Sequence, residues 1–353
     1  MSKLRAAFIG TGRPPERSGP LGYATAYWHA DAYRLIPDIE LVAAADIVED
    51  HARLFADHYG FTDIYTDYHE MLAAVKPDIL SVCTWPHLHA EMIIAGAEAG
   101  VPFIYSEKPM AYKWGDCKAI MAAVEKSGTR LFFNHQRRYS KAFAAAKELL
   151  DAGAIGKLHS VEFAAGNLYD YGSHNFDMCN FYNDECDIDW VLCGLDYSRE
   201  SLVFGTHNEN SAVAVWHYTN GVMGLCTTGE PAPTVGCHHR LQGSDGVIEI
   251  GREGQPPLRV LSAGKPWQVI DTGGDGLHGT EFINRAMADA VAAYREGRPC
   301  MMDAANAYRA TETIFACWES ARRRGIVRLP LDTDDNALVE MIKAGELRPV
   351  KGE

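Results

Sequence analysis

No stretch of the 353-residue sequence approaches the ~18 uninterrupted apolar residues that a membrane-spanning helix needs. The opening residues, Met1-Ser2-Lys3-Leu4-Arg5, lead into a short strand-like run and lack the long apolar region and cleavage site of a signal peptide. We therefore expect no membrane as a partner and predict a cytoplasmic location.

An excess of basic residues is also missing. The 33 Lys and Arg residues face 47 Asp and Glu residues, which gives a net charge of −14 with His neutral. This charge argues against nucleic acid and anionic membranes as partners, although it does not identify a substrate. The composition, 47% hydrophobic and 23% charged, is that of an ordinary globular protein, and the length indicates two domains.

The nine cysteines include no Cys-x-x-Cys pair. Cys179, Cys186 and Cys193 recur at regular spacing, but no histidine lies near them at the spacing of a zinc site. We therefore expect no metal site, and we interpret the cysteines as buried, reduced thiols.

The first 134 residues alternate between short apolar runs and segments with helical periodicity. This alternation is typical of a parallel sheet covered by helices on both faces. The predicted strands are 4–10, 39–45, a short one near 64, 78–84, 101–105 and 130–134, and the predicted helices are 23–35, 49–59, 68–75, 88–99 and 115–126.

A dinucleotide site is predicted where the first two strands end. Gly10-Thr11-Gly12 follows the first strand, and such glycines let the backbone approach a pyrophosphate at a helix N-terminus. Asp46 ends the second strand, where its carboxylate would accept hydrogen bonds from ribose hydroxyls and repel the 2′-phosphate of NADP. We therefore expect NAD rather than NADP as the cofactor.

The loop after Gly12 departs from the usual fingerprint. Pro15 stands where the third glycine should lie, and the loop from Arg13 to Leu21 is expanded. Two readings are open: the loop is a tolerated surface insertion, or Arg13 and Arg17 fold over the mouth of the cofactor or substrate site.

Further polar residues follow the later strands of this half. Glu107-Lys108-Pro109 comes directly after an apolar run, and the carboxyl ends of parallel strands are where ligands bind in open α/β sheets. Lys108 could there polarise a substrate oxygen, although three such common residues also form ordinary surface turns. We assign the cofactor site to a set of residues at these strand ends: Gly10, Thr11, Gly12, Asp46, Thr84, Trp85, Pro86, His89, Glu107, Lys108 and Asn134.

The second half of the chain has a different texture. Successive strand-like runs are separated by short turns, which indicates an antiparallel sheet. The candidate strands are 158–165, 189–191, 201–204, 211–218, 222–226, 239–242, 247–250 and 258–262, and the candidate helices are 140–150, 280–294 and 304–323. We predict a dinucleotide-binding domain over residues 1–134, an α+β domain over 135–330, and a C-terminal segment, 331–353, that packs on the domains.

The most informative stretch of this half runs from Asp170 to Asp177. If a helix starts near Gly172, His174 and Asp177 share one face, and Asp170 lies four residues before the histidine. A carboxylate could fix the imidazole tautomer and favour its protonated form, which suits a catalytic base. The alternative is an N-capping aspartate beside a structural histidine.

Candidate substrate contacts are more scattered. Arg137 and Arg138 follow the last strand of the first domain, and one of them is better explained as an ion-pair partner between domains. The remaining candidates are polar side chains of the second half: Tyr169, Asn175, His238, His239 and His278.

These motifs together resemble the Gfo/Idh/MocA family of glucose-fructose oxidoreductase and inositol dehydrogenase. The likeness rests on motifs in matching order along the chain: Gly10-Thr11-Gly12, Asp46, Thr84-x-Pro86-x-x-His89, Glu107-Lys108-Pro109, Phe133-Asn134 and the segment from Asp170 to Asp177. The resemblance implies an α/β Rossmann domain with a doubly wound parallel sheet, followed by an α+β domain with a large, open, mainly antiparallel sheet. It also implies that the domain over 135–330 binds the substrate and pairs its open sheet with that of another copy, in homodimers or homotetramers.

The function implied by the resemblance is NAD(P)-dependent oxidation or reduction of a sugar, polyol or sugar derivative. His174 would exchange the hydroxyl proton, Lys108 would stabilise the charge on the same oxygen, and Asp170 would orient His174. Two rivals are a redox-neutral enzyme that cleaves glycosides through transient oxidation and a dinucleotide-sensing regulator without catalysis. The presence of all three side chains argues against the regulator.

Overall fold

The computed structural model describes residues 3–14, 16, 24–274, 276, 277 and 279–351. The chain divides into two compact units, Met1–Gln136 with Thr280–Ala305, and Arg137–Gly279 with Asn306–Glu353. The sequence predicts residues 280–305 as part of the second domain and 331–353 as a separate segment. By their contacts, the former belong to the first unit and the latter to the second.

The first unit contains a six-stranded sheet in the order β3-β2-β1-β4-β5-β6, with every neighbouring pair parallel. The predicted doubly wound sheet is thereby confirmed. Its strands are β1 (Leu4–Ile9), β2 (Ile39–Ala45), β3 (Asp63–Tyr65), β4 (Ile79–Val82), β5 (Phe103–Ser106) and β6 (Arg130–Phe133). The direction of winding reverses between β1 and β4, and ligands bind at such a switch point in open α/β sheets.

Helices α1 to α5 alternate with these strands as predicted. They are α1 (Thr25–Arg34), α2 (Glu49–Tyr59), α3 (Tyr68–Val75), α4 (His89–Glu98) and α5 (Trp114–Ser127). Local sequence explains the helix ends: Asp67 accepts a hydrogen bond from the His69 amide at the start of α3, and Gly60 ends α2 with a left-handed φ of 82°.

Residues 280–305, the returning segment of the chain, complete the first unit. Its helix packs against α1, and Arg295 from its last turn donates a hydrogen bond to the Pro37 carbonyl. The residues that follow it reach the outer edge of β6, where the Phe133 amide donates to the Met302 carbonyl and Arg130 pairs with Asp303.

The second unit contains a nine-stranded sheet in the order β16-β15-β14-β13-β7-β12-β11-β8-β17. All neighbouring pairs are antiparallel except β7 with β12, which confirms the prediction of a mainly antiparallel sheet. Its strands are β7 (Leu158–Ala165), β8 (Ile188–Asp196), β11 (Ser211–Tyr218), β12 (Met223–Thr228), β13 (His239–Gly243), β14 (Gly246–Ile250), β15 (Leu258–Ser262), β16 (Gln268–Val269) and β17 (Val327–Arg328). Strands β9 (Leu202–Val203) and β10 (Thr206–His207) form a separate hairpin.

The remaining helices are α6 (Lys141–Asp151), α7 (Asp170–Tyr182), α8 (Glu281–Glu296) in the returning segment of the first unit, α9 (Ala304–Arg323) and α10 (Ala337–Lys343). Helix α7 is almost entirely buried, and the ring of Phe176 packs edge-on against Phe163 of β7. Among the described residues, no helix is long and apolar enough to cross a membrane.

Candidate active site

In the first unit, the residues assigned to the cofactor site follow the carboxyl ends of neighbouring strands β1, β2, β4, β5 and β6. The parallel sheet therefore brings to one edge residues that are far apart in sequence. The expanded loop after Gly12 lies mostly outside the described residues, which include Arg13 but not Arg17.

Asp46 fixes the glycine loop. Its Oδ2 accepts hydrogen bonds from the amides of Thr11 and Gly12, both at 2.9 Å, and from the Thr11 hydroxyl at 3.2 Å. Its Oδ1 accepts one from the Val48 amide at 2.9 Å. The carboxylate thus ties the end of β2 to the loop after β1.

Gly10 sits where a larger residue would not fit. Its φ is 82°, and an added Cβ would lie 2.5 Å from Cγ2 of Thr84. The end of β4 therefore approaches the glycine loop closely, and the glycine is required for both conformation and space.

His89 braces two strand ends. Its Nδ1 lies 2.9 Å from the Pro109 carbonyl oxygen, and its Nε2 lies 3.0 Å from the Thr84 carbonyl oxygen. Burial lowers the pKa of His89, so the ring is neutral at neutral pH and can donate to only one of the two carbonyls at a time. Pro86 begins a short 3-10 turn before α4, whereas the neighbouring Trp85 is exposed.

Glu107 lies in a buried polar network. Its Oε1 accepts hydrogen bonds from Nε2 of His29 at 3.0 Å and from the Asn134 amide at 2.8 Å. Nδ1 of His29 in turn lies 3.2 Å from the Ser81 hydroxyl and 3.3 Å from the Cys83 thiol. Glu107 is thus held by α1 and by the end of β6.

The charges of this network stabilise each other. Burial lowers the pKa of His29, but the contacts with Cys83 and Glu107 outweigh burial and raise it to about 10. Burial raises the pKa of Glu107, but the hydrogen bond and charge of His29, the Asn134 amide and the charge of Lys108 hold it below its usual value. At neutral pH the pair is therefore an imidazolium and a carboxylate.

Lys108 is half-buried directly after Glu107, and its own amide donates to Oε2 of Glu107 at 3.3 Å. The network therefore also fixes the backbone of the lysine.

In the second unit, Asp170 and His174 lie four residues apart at the start of α7, and both are buried. The helix begins at Asp170, two residues earlier than expected. Asn208 accepts a hydrogen bond from the Asp170 amide at 3.3 Å, and Asn167 accepts one from the Tyr171 amide at 3.0 Å.

A buried carboxylate, Glu209, anchors the segment before α7. It accepts hydrogen bonds from the Leu168 amide at 2.6 Å, from Nε1 of Trp318 at 3.1 Å and from the Thr228 hydroxyl at 3.3 Å. Burial raises the pKa of Glu209 to about 7, although these hydrogen bonds act in the opposite direction.

Asp177 turns out to be an ion-pair residue. Arg138 donates to both of its carboxylate oxygens, at 2.8 and 2.7 Å, and also to Glu185 at 2.6 Å. Burial lowers the pKa of Arg138, but the charges of Asp177 and Glu185 outweigh it and raise that pKa. These partners all belong to the second unit, so Arg138 serves that unit itself.

Arg137 has a different environment. Its Nη1 donates to Oδ1 of Asn175 at 2.6 Å and lies 3.0 Å from Nε2 of His238. His238 and His239 approach each other through their Nδ1 atoms at 2.7 Å, and Nε2 of His239 lies 3.4 Å from the Asn175 carbonyl oxygen. Burial lowers the pKa of Arg137 to about 10, with Tyr171 and Asp170 acting the other way, so the guanidinium stays charged at neutral pH.

Two substrate candidates remain, Tyr169 and His278. Tyr169 is fully buried, with its ring against that of Trp318 in α9, and so belongs to the core of the second unit. His278 lies outside the described residues.

Two family models match the chain. One, described as an oxidoreductase family with an NAD-binding Rossmann fold, matches residues 4–135, and the other, its C-terminal α/β domain, matches residues 147–329. The chain belongs to the Gfo/Idh/MocA oxidoreductase family. The expectations of an oxidoreductase and of NAD as its cofactor are thereby confirmed at the level of the family.

Relatives of this Gfo/Idh/MocA oxidoreductase are named as dehydrogenases of polyols and sugars. The myo-inositol 2-dehydrogenase of Thermotoga maritima is 26% identical over 237 residues, which span 62% of this chain and 70% of that protein. The D-glucoside 3-dehydrogenase of Escherichia coli is 30% identical over 158 residues, which span 45% of this chain and 42% of that protein. Among solved structures, a levoglucosan dehydrogenase in complex with NADH superimposes with a TM-score of 0.79 at 21% identity, covering 94% of this chain and 100% of that one.

The first unit fits the NAD of this family. The glycine loop leaves room for a pyrophosphate at Gly12, where an added Cβ would meet, among the described residues, only Cβ of Ala24 at 4.0 Å. Oδ1 of Asp46 keeps room for a further donor, because each carboxylate oxygen has two lone pairs and Oδ1 accepts only the Val48 amide, with Nδ1 of His51 3.5 Å away. In the Gfo/Idh/MocA oxidoreductase, these residues would hold the pyrophosphate and the ribose.

Sequence reasoning missed His29 and Glu209. Neither residue stands in a recognisable motif, and each gains its partner only through the fold. A polar residue among the apolar positions of α1 was the one available signal for His29.

A cavity of about 410 Å³ in the second unit is lined by none of the predicted site residues; among its lining residues are Asn180, Asp187, Asp189, Arg309 and Glu312.

Proposed function

We propose that this protein transfers hydride between a carbinol carbon of a sugar, polyol or sugar derivative and NAD. His174 acts as the acid/base, Lys108 polarises the substrate oxygen, and Asp170 orients His174. The family and the dehydrogenase names of the relatives support the substrate class.

The observation that carries this proposal is the placement of Lys108. It is the second residue after β5, one strand from the switch point of an NAD-binding sheet, and the carboxylate before it is anchored by His29 and Asn134. A flexible surface turn would not need such a buried ion pair behind it. The ammonium group is therefore presented by a rigid support.

The proposed chemistry needs little from each side chain. Bound NAD would supply the hydride acceptor. His174 takes the hydroxyl proton while the carbon–hydrogen bond breaks, and Lys108 donates a hydrogen bond to the oxygen on which negative charge develops. Asp170, one helical turn before His174, favours the imidazolium that forms.

The test compares NADH formation by the wild type and by the variants Lys108→Ala and His174→Gln on a panel of sugars, polyols and glycosides. Loss of a general acid/base or of an oxyanion donor lowers turnover by roughly 10²- to 10⁴-fold. Lys113→Ala is the matched control, because Lys113 is exposed and lies five residues further along the chain. Turnover of Lys108→Ala within about threefold of the wild type would refute the assignment.

The same assay separates net oxidation from the redox-neutral cycle. Sustained NADH formation would establish a dehydrogenase. A burst of at most one equivalent per site, with glycoside cleavage, would instead support transient oxidation. NAD binding without any turnover on the panel would favour a regulator.

We also propose that the open sheet of the second unit pairs with another copy. Trp190 of β8 and His217 of β11 stack on one face, and on the same two strands Leu192 and Val213 are 40% and 48% exposed. A molar mass of two or four chains by light scattering would support this, and a monomer would exclude it. A cytoplasmic location remains a prediction, which cell fractionation tests.

A further inference from the structure

Arg137 is a buried cation without an anionic partner. Arg137 is only 4% exposed, and no carboxylate of the described residues lies within ion-pair distance of its guanidinium. Arg138, the next residue, is equally buried but has two carboxylate partners. Removing a charge from water without such a partner is costly, so the environment of Arg137 is incomplete.

The histidines beside Arg137 do not supply the missing negative charge. His239 is neutral, because burial lowers its pKa to about 3. Its Nε2 faces the Asn175 carbonyl oxygen and must carry the proton, so its Nδ1 accepts from Nδ1 of His238. Nε2 of His238 is then the acceptor for Arg137, and every group that Arg137 touches is neutral.

Part of the guanidinium is available to a ligand. Both contacts of Arg137 use Nη1, and Nε and Nη2 bond to no described residue. Neither atom is among the buried polar atoms without a partner, so both keep access to solvent. Nε–H and Nη2–H point the same way and form the side-on fork that matches the two oxygens of a carboxylate.

The Arg137 side chain is bonded to the helix that carries the proposed acid/base. Asn175, which holds Nη1, follows His174 on α7. Asp170 acts on the guanidinium through its charge but does not form an ion pair with it.

We propose that Arg137 binds a carboxylate group of the substrate, so that the substrate is an acidic sugar derivative such as an aldonate or a uronate. This inference rests on the proposed function, because it names the substrate class of that same site. A single guanidinium offsets one negative charge, which fits a carboxylate better than the two charges of a phosphate monoester.

The experiment uses matched pairs of compounds that differ in the anionic group: D-gluconate with D-glucitol, and D-glucuronate with D-glucose, plus glucose 6-phosphate as a phosphate arm. Binding to the NADH-saturated protein is measured by calorimetry, and kcat/KM with NAD is measured in parallel. We expect the wild type to favour the carboxylate member by about 10- to 100-fold, the usual worth of a charge-assisted hydrogen bond.

Arg137→Gln should abolish this preference, and Arg137→Lys, which keeps the charge but loses the fork, should retain only part of it. Arg199→Gln is the control for net charge, because the Arg199 side chain is 72% exposed in the same unit, and it should keep the full preference. NADH binding and circular dichroism establish that each variant is folded.

A wild type that binds the neutral member as tightly as the carboxylate, or prefers the phosphate, overturns the inference. So does a preference that Arg137→Gln leaves unchanged in a folded protein. Turnover of neutral sugars without any carboxylate preference would leave the proposed function standing, whereas carboxylate binding that depends on Arg137 without turnover would refute that function alone.

Discussion

The pair of His29 and Glu107 allows a sharp prediction about stability. Replacing Glu107 by Gln keeps the shape of the side chain and removes the negative charge that faces the buried imidazolium. Removing one partner of a buried ion pair costs about 3–5 kcal/mol. We expect Glu107→Gln to lower the free energy of unfolding of the first unit by that amount near pH 6.

The pH dependence identifies the mechanism. The pKa of His29 is raised from 6.5 to about 10, so the folded state binds its proton more tightly than the unfolded state. The stabilisation is therefore fully present below pH 6.5 and is lost as the pH rises to about 10. The pKa of Glu107 is lowered, so its contribution holds above 4.5 and is lost only in stronger acid. The difference in the free energy of unfolding between wild type and Glu107→Gln should therefore shrink steadily as the pH rises from 6.5 to about 10.

Urea unfolding of both proteins at about pH 6 and about pH 9.5 measures this difference. Glu49→Gln is the control, because Glu49 forms an exposed pair with Arg53 one turn along α2, and such pairs contribute about 0.3–0.5 kcal/mol. A loss in Glu107→Gln no larger than in the control, or equal at both pH values, would refute the buried ion pair.

Two further predictions concern the loop after β1 and the anchor of α7. Gly10→Ala should weaken NAD binding at least about tenfold, because the new Cβ would meet Cγ2 of Thr84 at 2.5 Å. Gly60→Ala is the control: Gly60 has the same φ of 82° but no atom within 4 Å of an added Cβ, so this variant should lose only about 1 kcal/mol of stability. Titration calorimetry and urea unfolding check both, and equal NAD affinity in the two variants would contradict the steric argument. Glu209→Gln should lower the free energy of unfolding by about 1–3 kcal/mol. The NH₂ of the new amide group would face one of the donors that now bond to the carboxylate, such as Nε1 of Trp318. Since the pKa of Glu209 is raised from 4.5 to about 7, wild-type stability falls across that window as the pH rises, and the variant should lack this fall in parallel unfolding curves.

The spacing of apolar residues and the turn residues between elements predicted most of the fold. Several elements, including β2, α2, α3, β7, β11 and α9, have the predicted bounds, because their apolar spacing is regular and turn residues flank them. Strand β8 was predicted over three residues and runs from Ile188 to Asp196, because its outward face carries Leu192 and Gly194 and so breaks the expected alternation. Strands β10, β16 and β17 were not predicted, because two residues are too few to show the alternation of apolar and polar side chains.

The site was predictable to the extent that function leaves a motif. Asp46 and Glu107 were found by their positions after strands, and both lie at the expected edge. Their partners were not, because the contacts of Asp46 with Thr11 and of Glu107 with His29 depend on how separate segments meet in space. The same reason explains Asp177, which was read as a neighbour of His174 and pairs instead with Arg138.

The returning segment has a consequence for how the chain is made. Ribosomal synthesis delivers β1 to β6 first, yet α8 and the residues that bond to the edge of β6 follow only after the whole of 137–279 has emerged. The nascent dinucleotide-binding half must therefore wait, with the α1 surface uncovered, until about residue 305 has left the ribosome. For the same reason, a fragment cut at residue 134, the boundary suggested by sequence, would lack one helix and part of its own sheet edge.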